Sequence, residues 1–129
     1  MKIKHIDHLV LTVKDIETSC RFYTTVLGME EVSFRQGRKA VVFGDQKINF
    51  HQCGQELEPR ALHPTRGSGD LCFITADSIS DVIGHIQSCG IEIIEGPVAR
   101  TGAKGSMTSI YIRDPDQNLI EISTYNADT

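Results

Sequence analysis

The stretch Ile6-Asp7-His8-Leu9-Val10-Leu11-Thr12-Val13 has the alternating pattern of a β-strand, and the chain repeats it in outline 62 residues later. Alternation places every second side chain on the same face of a strand. The apolar face, suited to packing against a helix, carries Leu9, Leu11 and Val13. The opposite face begins with an imidazole and carries His8, Val10 and Thr12. In the second copy, Asp70-Leu71-Cys72-Phe73-Ile74-Thr75, the residue at the place of His8 is Asp70.

Each copy of this strand leads into a predicted helix and then into three further strands. The first helix has Asp15 as its N-cap and Gly28 as its stop, and the second has Ser78 and Gly90 in the same roles. The strands predicted after the helices are 29–34, 40–43 and 47–52 in the first copy, and 91–95, 106–113 and 118–124 in the second. The sequence therefore predicts the order βαβββ twice.

The two copies are expected to form a single domain over residues 1–129. The first module covers about 3–53 and the second about 70–125, with a Pro- and Gly-rich linker over about 54–69. The offset between the copies grows from 62 to 72 residues by the last strand, where Asn49 matches Glu121. The additional residues fall mainly in the Gly-rich segment 96–105, which we predict to be a loop that covers a site.

Composition excludes several classes of function. The formal net charge of −4 gives no reason to expect nucleic acid or an anionic membrane as a partner. The sequence has no apolar run of about 18 residues and no signal-peptide pattern, so we expect a cytoplasmic protein. Its four cysteines are scattered without a C-x-x-C pair, which favours reduced, mostly buried thiols over disulfides or a zinc knuckle.

With this repeat, His8 on the first strand and Asp-Pro-Asp-Gln-Asn-Leu-Ile-Glu-Ile at 114–122, the chain resembles the vicinal oxygen chelate superfamily. That superfamily includes lactoylglutathione lyases, fosfomycin-resistance transferases, extradiol dioxygenases and bleomycin-resistance proteins. The resemblance covers about residues 3–125 and is closest to the branch of glyoxalase domain-containing protein 5 and bacterial virulence proteins. The stretches that carry it are 7–13, 48–51, 96–105 and 113–116.

The resemblance implies an α+β fold in which paired βαβββ modules form a half-open barrel of mixed and antiparallel sheet, with the helices outside. It implies a divalent metal ion bound by the first and last strands of each module. In this sequence those positions are His8, Asn49, Asp70 and Glu121. A homodimer is also expected, because members of the superfamily are often dimeric.

The sequence departs from the best-known members at two of these positions. Asp70 stands where dioxygenases and fosfomycin transferases have a second histidine, and Asn49 stands where lactoylglutathione lyases have a second carboxylate. Because a neutral amide is a poor ligand, we expect Asn49 to line the substrate pocket. His51 lies two residues further along the same face and is an alternative second histidine. The predicted metal ligands are His8, Asp70, Glu121 and His51, a set suited to Mn²⁺, Fe²⁺, Ni²⁺, Zn²⁺ or Mg²⁺.

Other residues are candidates for contacts with the substrate. Arg100 and Lys104, in the Gly-rich segment, have the charge to bind a carboxylate or phosphate, although a solvated loop explains them equally well. Tyr111 shares its strand face with Ser109 and Arg113 and is either a proton donor or a core residue. Glu121 or His51 is the candidate for proton transfer.

Two functions are consistent with these residues. The first is a metal-dependent enzyme of the lyase-isomerase, oxygenase or transferase type, acting on a small molecule with vicinal oxygens, where the metal stabilises an oxyanion or enediolate. The second is a metal-free protein that binds a small molecule or toxin, as bleomycin-resistance proteins do. A scaffold with only protein partners is the least favoured, because it leaves the polar residues of the inward faces unexplained.

Overall fold

A computed structural model describes residues 1–127 of the chain. The chain divides into two compact units, Met1–Gly67 and a second that begins at Ser68. The first unit contains, in chain order, β1 (His8–Val13), α1 (Ile16–Thr25), β2 (Glu30–Phe34), β3 (Arg38–Phe43) and β4 (Gln46–Gln52). The second contains β5 (Asp70–Ile74), α2 (Ile79–Ser88), β6 (Glu95–Gly102), β7 (Gly105–Arg113) and β8 (Leu119–Tyr125).

Each unit forms one four-stranded mixed sheet with the same topology. The strand order is β1-β4-β3-β2 in the first sheet and β5-β8-β7-β6 in the second. In both sheets the first strand pairs in parallel with the last, and the remaining neighbours are antiparallel. The predicted α+β class and the repeated βαβββ order are confirmed, and within residues 1–127 neither sheet closes into a barrel by itself.

Both helices begin at the predicted caps. The Asp15 carboxylate accepts a hydrogen bond from the backbone N–H of Thr18, and the Ser78 hydroxyl accepts one from Asp81. Because each cap satisfies a backbone donor that has no partner inside the helix, it fixes where the helix starts. The core of the first unit includes Tyr23 of α1, whose ring lies 5.6 Å from that of Phe50.

In the second unit the buried helix residues are Val82 and Ile86. Every second residue along the middle of β7 and β8 has a buried apolar side chain on the helix-facing side of the sheet. These residues are Ile110, Ile112, Ile120 and Ile122. In each sheet, therefore, one face packs against a helix. The chemistry-bearing side chains lie on the other face.

The structure corrects the prediction for residues 91–105. No strand covers 91–94, and the predicted Gly-rich loop is in fact strand β6 and its hairpin with β7. Gly96 and Pro97 suggested a loop, but they lie at a β-bulge near the start of an edge strand, where proline is tolerated. A Cβ at Gly96 would lie 2.6 Å from the carbonyl oxygen of Ser109, so close pairing requires glycine there.

The four cysteines are free thiols, but the expectation that most are buried is wrong. Only Cys20 is buried, and burial raises the pKa of its thiol to about 11. Cys53 and Cys72 are exposed. Among the helices of the described chain, none has the length and apolar character needed to cross a membrane.

Candidate functional site

The chemistry-bearing residues lie on the helix-free face of each sheet, which we call the first polar face and the second polar face. In the first sheet the register pairs Val10 with Asn49 and Thr12 with His51. In the second it pairs Cys72 with Glu121 and Ile74 with Ser123. Asn49 and Glu121 therefore occupy corresponding positions in the two sheets. The same register places His8 and Asp70 at corresponding positions, each two residues earlier in its strand.

His8 is half-exposed on the first polar face and is oriented by its chain neighbour. Its Nδ1 lies 2.8 Å from Oδ2 of Asp7, and this hydrogen bond is the main cause that lowers the pKa of the Asp7 carboxyl. A carboxylate that binds one ring nitrogen fixes the tautomer and leaves the other nitrogen for a ligand. Within residues 1–127, Nε2 of His8 has no hydrogen-bond partner.

Asn49 and His51 are almost fully buried, at 6% and 7% exposure. Within the described chain, Asn49 Oδ1 and His51 Nε2 are buried without a hydrogen-bond partner. Burial, followed by the positive charge of Arg38, lowers the pKa of His51, so its imidazole is neutral near pH 7. Since buried polar atoms are rarely left without partners, these two mark a place for a ligand group or a water molecule.

Glu121 is bound on the second polar face by two buried serines. The Ser109 hydroxyl donates to Oε2 of Glu121 at 2.7 Å, and the Ser123 hydroxyl lies 3.3 Å from the same oxygen. The two hydroxyl oxygens are 2.6 Å apart, and the Cys72 sulfur lies 3.3 Å from that of Ser123. Glu121 is therefore not an isolated buried acid, because its burial is compensated by donors on the same face.

The hydrogens of this network have a fixed direction. Both of the shortest contacts are made only if Ser109 donates to Glu121 and Ser123 donates to Ser109, since each hydroxyl has a single hydrogen. Cys72 then has to be the donor to Ser123. Although Cys72 is exposed as a residue, partial desolvation of its sulfur raises the pKa of the thiol, which is consistent with a protonated thiol at this end of the network.

Tyr111 and Arg100 form a second cluster on the same face. Nε of Arg100 donates to the Tyr111 hydroxyl at 2.8 Å, and the guanidinium carbon lies 5.3 Å from the centre of the Tyr111 ring. The register places Tyr111 directly opposite both Glu95 and Glu121 on its neighbouring strands. Tyr111 is therefore part of a polar cluster rather than of the apolar core.

The other two predicted site residues are in more open positions. Asp70 is the exposed first residue of β5. Lys104 is exposed in the turn between β6 and β7, where its backbone N–H donates to the Tyr125 hydroxyl. The segment that was expected to cover a site thus contributes Arg100 to a sheet face and places Lys104 at the tip of a hairpin.

A metal centre is not assembled in the described part of the chain, where no three His, Cys, Asp or Glu side chains form a group that could hold an ion. The chemistry of the individual donors nevertheless fits a divalent cation. Asp7 holds one nitrogen of His8, and Ser109 holds one oxygen of Glu121, so each side chain keeps its second donor atom available.

Sequence reasoning missed the residues that support these side chains. Asp7 had a usable signal, because it is a carboxylate next to a candidate ligand in the sequence. The sequence signal for Ser109 and Ser123 was weaker: both share a strand face with predicted site residues. The role of Glu95 had no signal, since a bulge moves it onto the face of Arg100.

The model of the Glyoxalase/Bleomycin resistance protein/Dioxygenase superfamily matches residues 5–122 of this chain. The chain belongs to this superfamily. It is 62% identical over 125 residues to Virulence protein STM3117 from Salmonella typhimurium, covering 97% of this chain and 87% of that protein. The crystal structure of that protein matches with a TM-score of 0.96, covering 98% of this chain and all of the other.

A second relative is Glyoxalase domain-containing protein RDO1 from Mycosarcoma maydis, 56% identical over 97% of this chain and 70% of that protein. More distant relatives include a lactoylglutathione lyase from Schizosaccharomyces pombe, at 25% identity over 95% of this chain and 48% of that protein. They also include Biphenyl-2,3-diol 1,2-dioxygenase 2 from Rhodococcus globerulus, at 28% identity over 95% of this chain and 63% of that protein.

Proposed function

We propose that this chain is a divalent-metal enzyme that acts on a small molecule with vicinal oxygens. The observation that carries the proposal is the support given to His8 by Asp7, an arrangement typical of metal-binding histidines. The distant relatives named as a lactoylglutathione lyase and a biphenyl-diol dioxygenase support a reaction at adjacent oxygens. A lyase-isomerase and an oxygenase are both compatible with these relatives.

The candidate metal ligands are His8, His51, Asp70 and Glu121. A bound divalent ion supplies Lewis-acid stabilisation of negative charge on substrate oxygens. Because the lowered pKa of His51 keeps its imidazole neutral, His51 accepts a proton from the substrate if it is not a ligand. Glu121 is the alternative base, oriented by Ser109.

Four residues would contact the substrate. Asn49 offers the carbonyl oxygen of its side chain, which has no partner in the described chain. Arg100 and Tyr111 offer N–H and O–H groups from the second polar face, and Lys104 adds a positive charge at the hairpin tip. We also propose that the protein acts as a homodimer in the cytoplasm, as expected from its superfamily and its composition.

The test is metal content measured by plasma mass spectrometry on tag-free protein, beside His8→Ala and Glu121→Ala. We expect about one divalent ion per chain in the unaltered protein and little in either variant. His63→Ala, which changes an exposed histidine outside both sheets, is the matched control and should retain the ion.

Asp7→Asn tests the residue that supports His8 while leaving all the candidate metal ligands in place, and its readout is metal affinity. Weakening the partner of a metal-binding histidine lowers metal affinity by about 10- to 100-fold. A protein with no bound metal, and no thermal shift on addition of Mn²⁺, Fe²⁺, Ni²⁺ or Zn²⁺, would contradict the proposal. That result would favour the metal-free binding protein, and the next measurement would be mass spectrometry of a co-purified organic ligand.

A further inference from the structure

In the described part of the chain, the hydrogen of the Tyr111 hydroxyl is not donated to any protein acceptor. Its oxygen accepts a hydrogen bond from Nε of Arg100 at 2.8 Å, so its own hydrogen has to point away from the guanidinium. Within residues 1–127 no side chain or backbone acceptor receives that hydrogen. Because the Tyr111 oxygen already accepts a hydrogen bond from Arg100, Tyr111 faces a ligand as a hydrogen-bond donor.

Arg100 is held in place by contacts on three sides. Besides Tyr111, its Nη1 donates to the carbonyl oxygen of Ala99 at 2.9 Å, and its Nη2 lies 3.4 Å from Oε1 of Glu95. The β-bulge between Glu95 and Val98 is what brings Glu95 onto the same face. The guanidinium has five N–H groups, of which these contacts use three, so two remain for a ligand.

Glu121 does not need the Tyr111 hydrogen. The two residues are directly opposite in the pairing of β7 with β8, but Glu121 receives its hydrogen bond from Ser109. The second polar face therefore presents an oriented O–H and two N–H groups of a guanidinium, whose charge is shared with Glu95 at 3.4 Å, beside a Glu121 carboxylate that is already bound. A ligand complementary to this set carries an anionic oxygen.

We propose that Tyr111 and Arg100 form a recognition site for the carboxylate of a small organic acid. This deepens the proposed function, on which it rests for the expectation that a small molecule binds at this face. The site itself requires no metal. Tyr111 donates to one carboxylate oxygen, and Arg100 supplies the N–H groups and the opposite charge.

The test uses metal-free protein, treated with a chelator, and NMR of ¹³C-labelled tyrosine rings. The chain has three tyrosines, so Tyr111→Phe assigns the Tyr111 signal directly. The probes are glycolate and glycolamide, which have the same shape but differ in charge. We expect glycolate to shift the Tyr111 signal in a saturable way and glycolamide to shift it at least about tenfold more weakly.

Arg100→Gln removes the charge, and we expect it to weaken glycolate binding by about 10- to 100-fold. Tyr111→Phe, followed by calorimetry, is expected to weaken binding by about tenfold. Tyr125→Phe and Arg113→Gln are the matched controls, since both change the same type of residue on the same sheet face, and neither should alter binding.

Equal responses to both probes, no response of Tyr111 to glycolate, or an unchanged affinity in Arg100→Gln would each overturn the inference. Failure of the metal proposal is distinguishable from these results. If the protein binds no metal but glycolate binds in a manner that depends on Arg100, the recognition site stands while the metal-dependent chemistry does not.

Discussion

The two units have the same fold but opposite kinds of polar face. At corresponding positions the first has Asn49 and the second has Glu121. On the second polar face, Glu121, Ser109, Ser123 and Cys72 satisfy one another through hydrogen bonds. On the first, Asn49 Oδ1 and His51 Nε2 are buried with no partner in the described chain.

This difference indicates how a duplicated module acquires two roles. A satisfied network holds a carboxylate in one orientation, which suits a ligand or a base whose geometry must not vary. Unsatisfied buried atoms cost free energy in the absence of a ligand, so a protein retains them where a bound group repays that cost. The second polar face thus holds its carboxylate through internal hydrogen bonds, whereas the first leaves two buried polar atoms without a partner in the described chain.

The largest expected effect is on stability. It comes from the β-bulge in β6, the edge strand that corresponds to β2 of the first sheet. Gly96→Ala places a Cβ 2.6 Å from the Ser109 carbonyl oxygen and 2.9 Å from the Ile110 Cα, at a φ of +112°. We expect the free energy of unfolding, measured by urea denaturation, to fall by about 4 kcal/mol. Gly84→Ala in α2, where a Cβ meets nothing within 4 Å, is the control and should be neutral or slightly stabilising. A loss under about 1 kcal/mol would mean that β6 pairs without this close approach.

Asn49→Asp makes the first polar face resemble the second without supplying its serines. The substitution keeps the size of the side chain but buries a charge that has no donor, so we expect a loss of about 3 kcal/mol in metal-free protein. Added Mn²⁺ or Ni²⁺ should restore part of that loss if this face accepts a metal. Asn126→Asp, at an exposed position, is the matched control. An unchanged stability would show that Asn49 is more solvated than its 6% exposure indicates.

Ser109→Ala tests the satisfied network of the second polar face. It removes the donor to Glu121 and the acceptor of Ser123. Because Ser109 itself is fully buried, we expect the free energy of unfolding, measured by chemical denaturation, to fall by about 2 kcal/mol. Ser106→Ala, in an exposed position of the same strand, should change stability by less than about 0.5 kcal/mol. Equal effects of the two substitutions would refute the contrast between the two faces.

Much of the fold could be predicted from the sequence because its signals are local. The caps at Asp15 and Ser78 and the alternation after His8 and Asp70 each lie within a few residues of the element that they define. The segment 96–105 was predicted wrongly because Gly96 and Pro97 signal a turn by composition. Their place in an edge strand depends on close contact with β7, which lies elsewhere in the sequence.

The candidate site, like the fold, was predictable only where its signals are local in the sequence. The residue types at His8 and Glu121 suggested ligands, and the alternation placed Ser109 and Tyr111 together on one face. The partners could not be predicted, because pairing Ser109 with Glu121 requires the register of β7 against β8. Whether His8, His51, Asp70 and Glu121 bind one metal stays a prediction, for which the metal measurement is the test.

The smallest expected effect is the pH dependence of the first polar face. The pKa of His51 in the folded protein is lowered from 6.5, first by burial and then by Arg38. Between the folded pKa and the unfolded one, the unfolded chain binds more protons, so stability rises with pH in that window and falls on acidification. From about pH 8 to about pH 5 we expect metal-free protein to lose about 1 kcal/mol more than His51→Gln does. The same pH dependence in both proteins would mean that His51 reaches solvent when it is protonated. The first polar face would then lack the neutral, buried imidazole by which it differs from the second polar face.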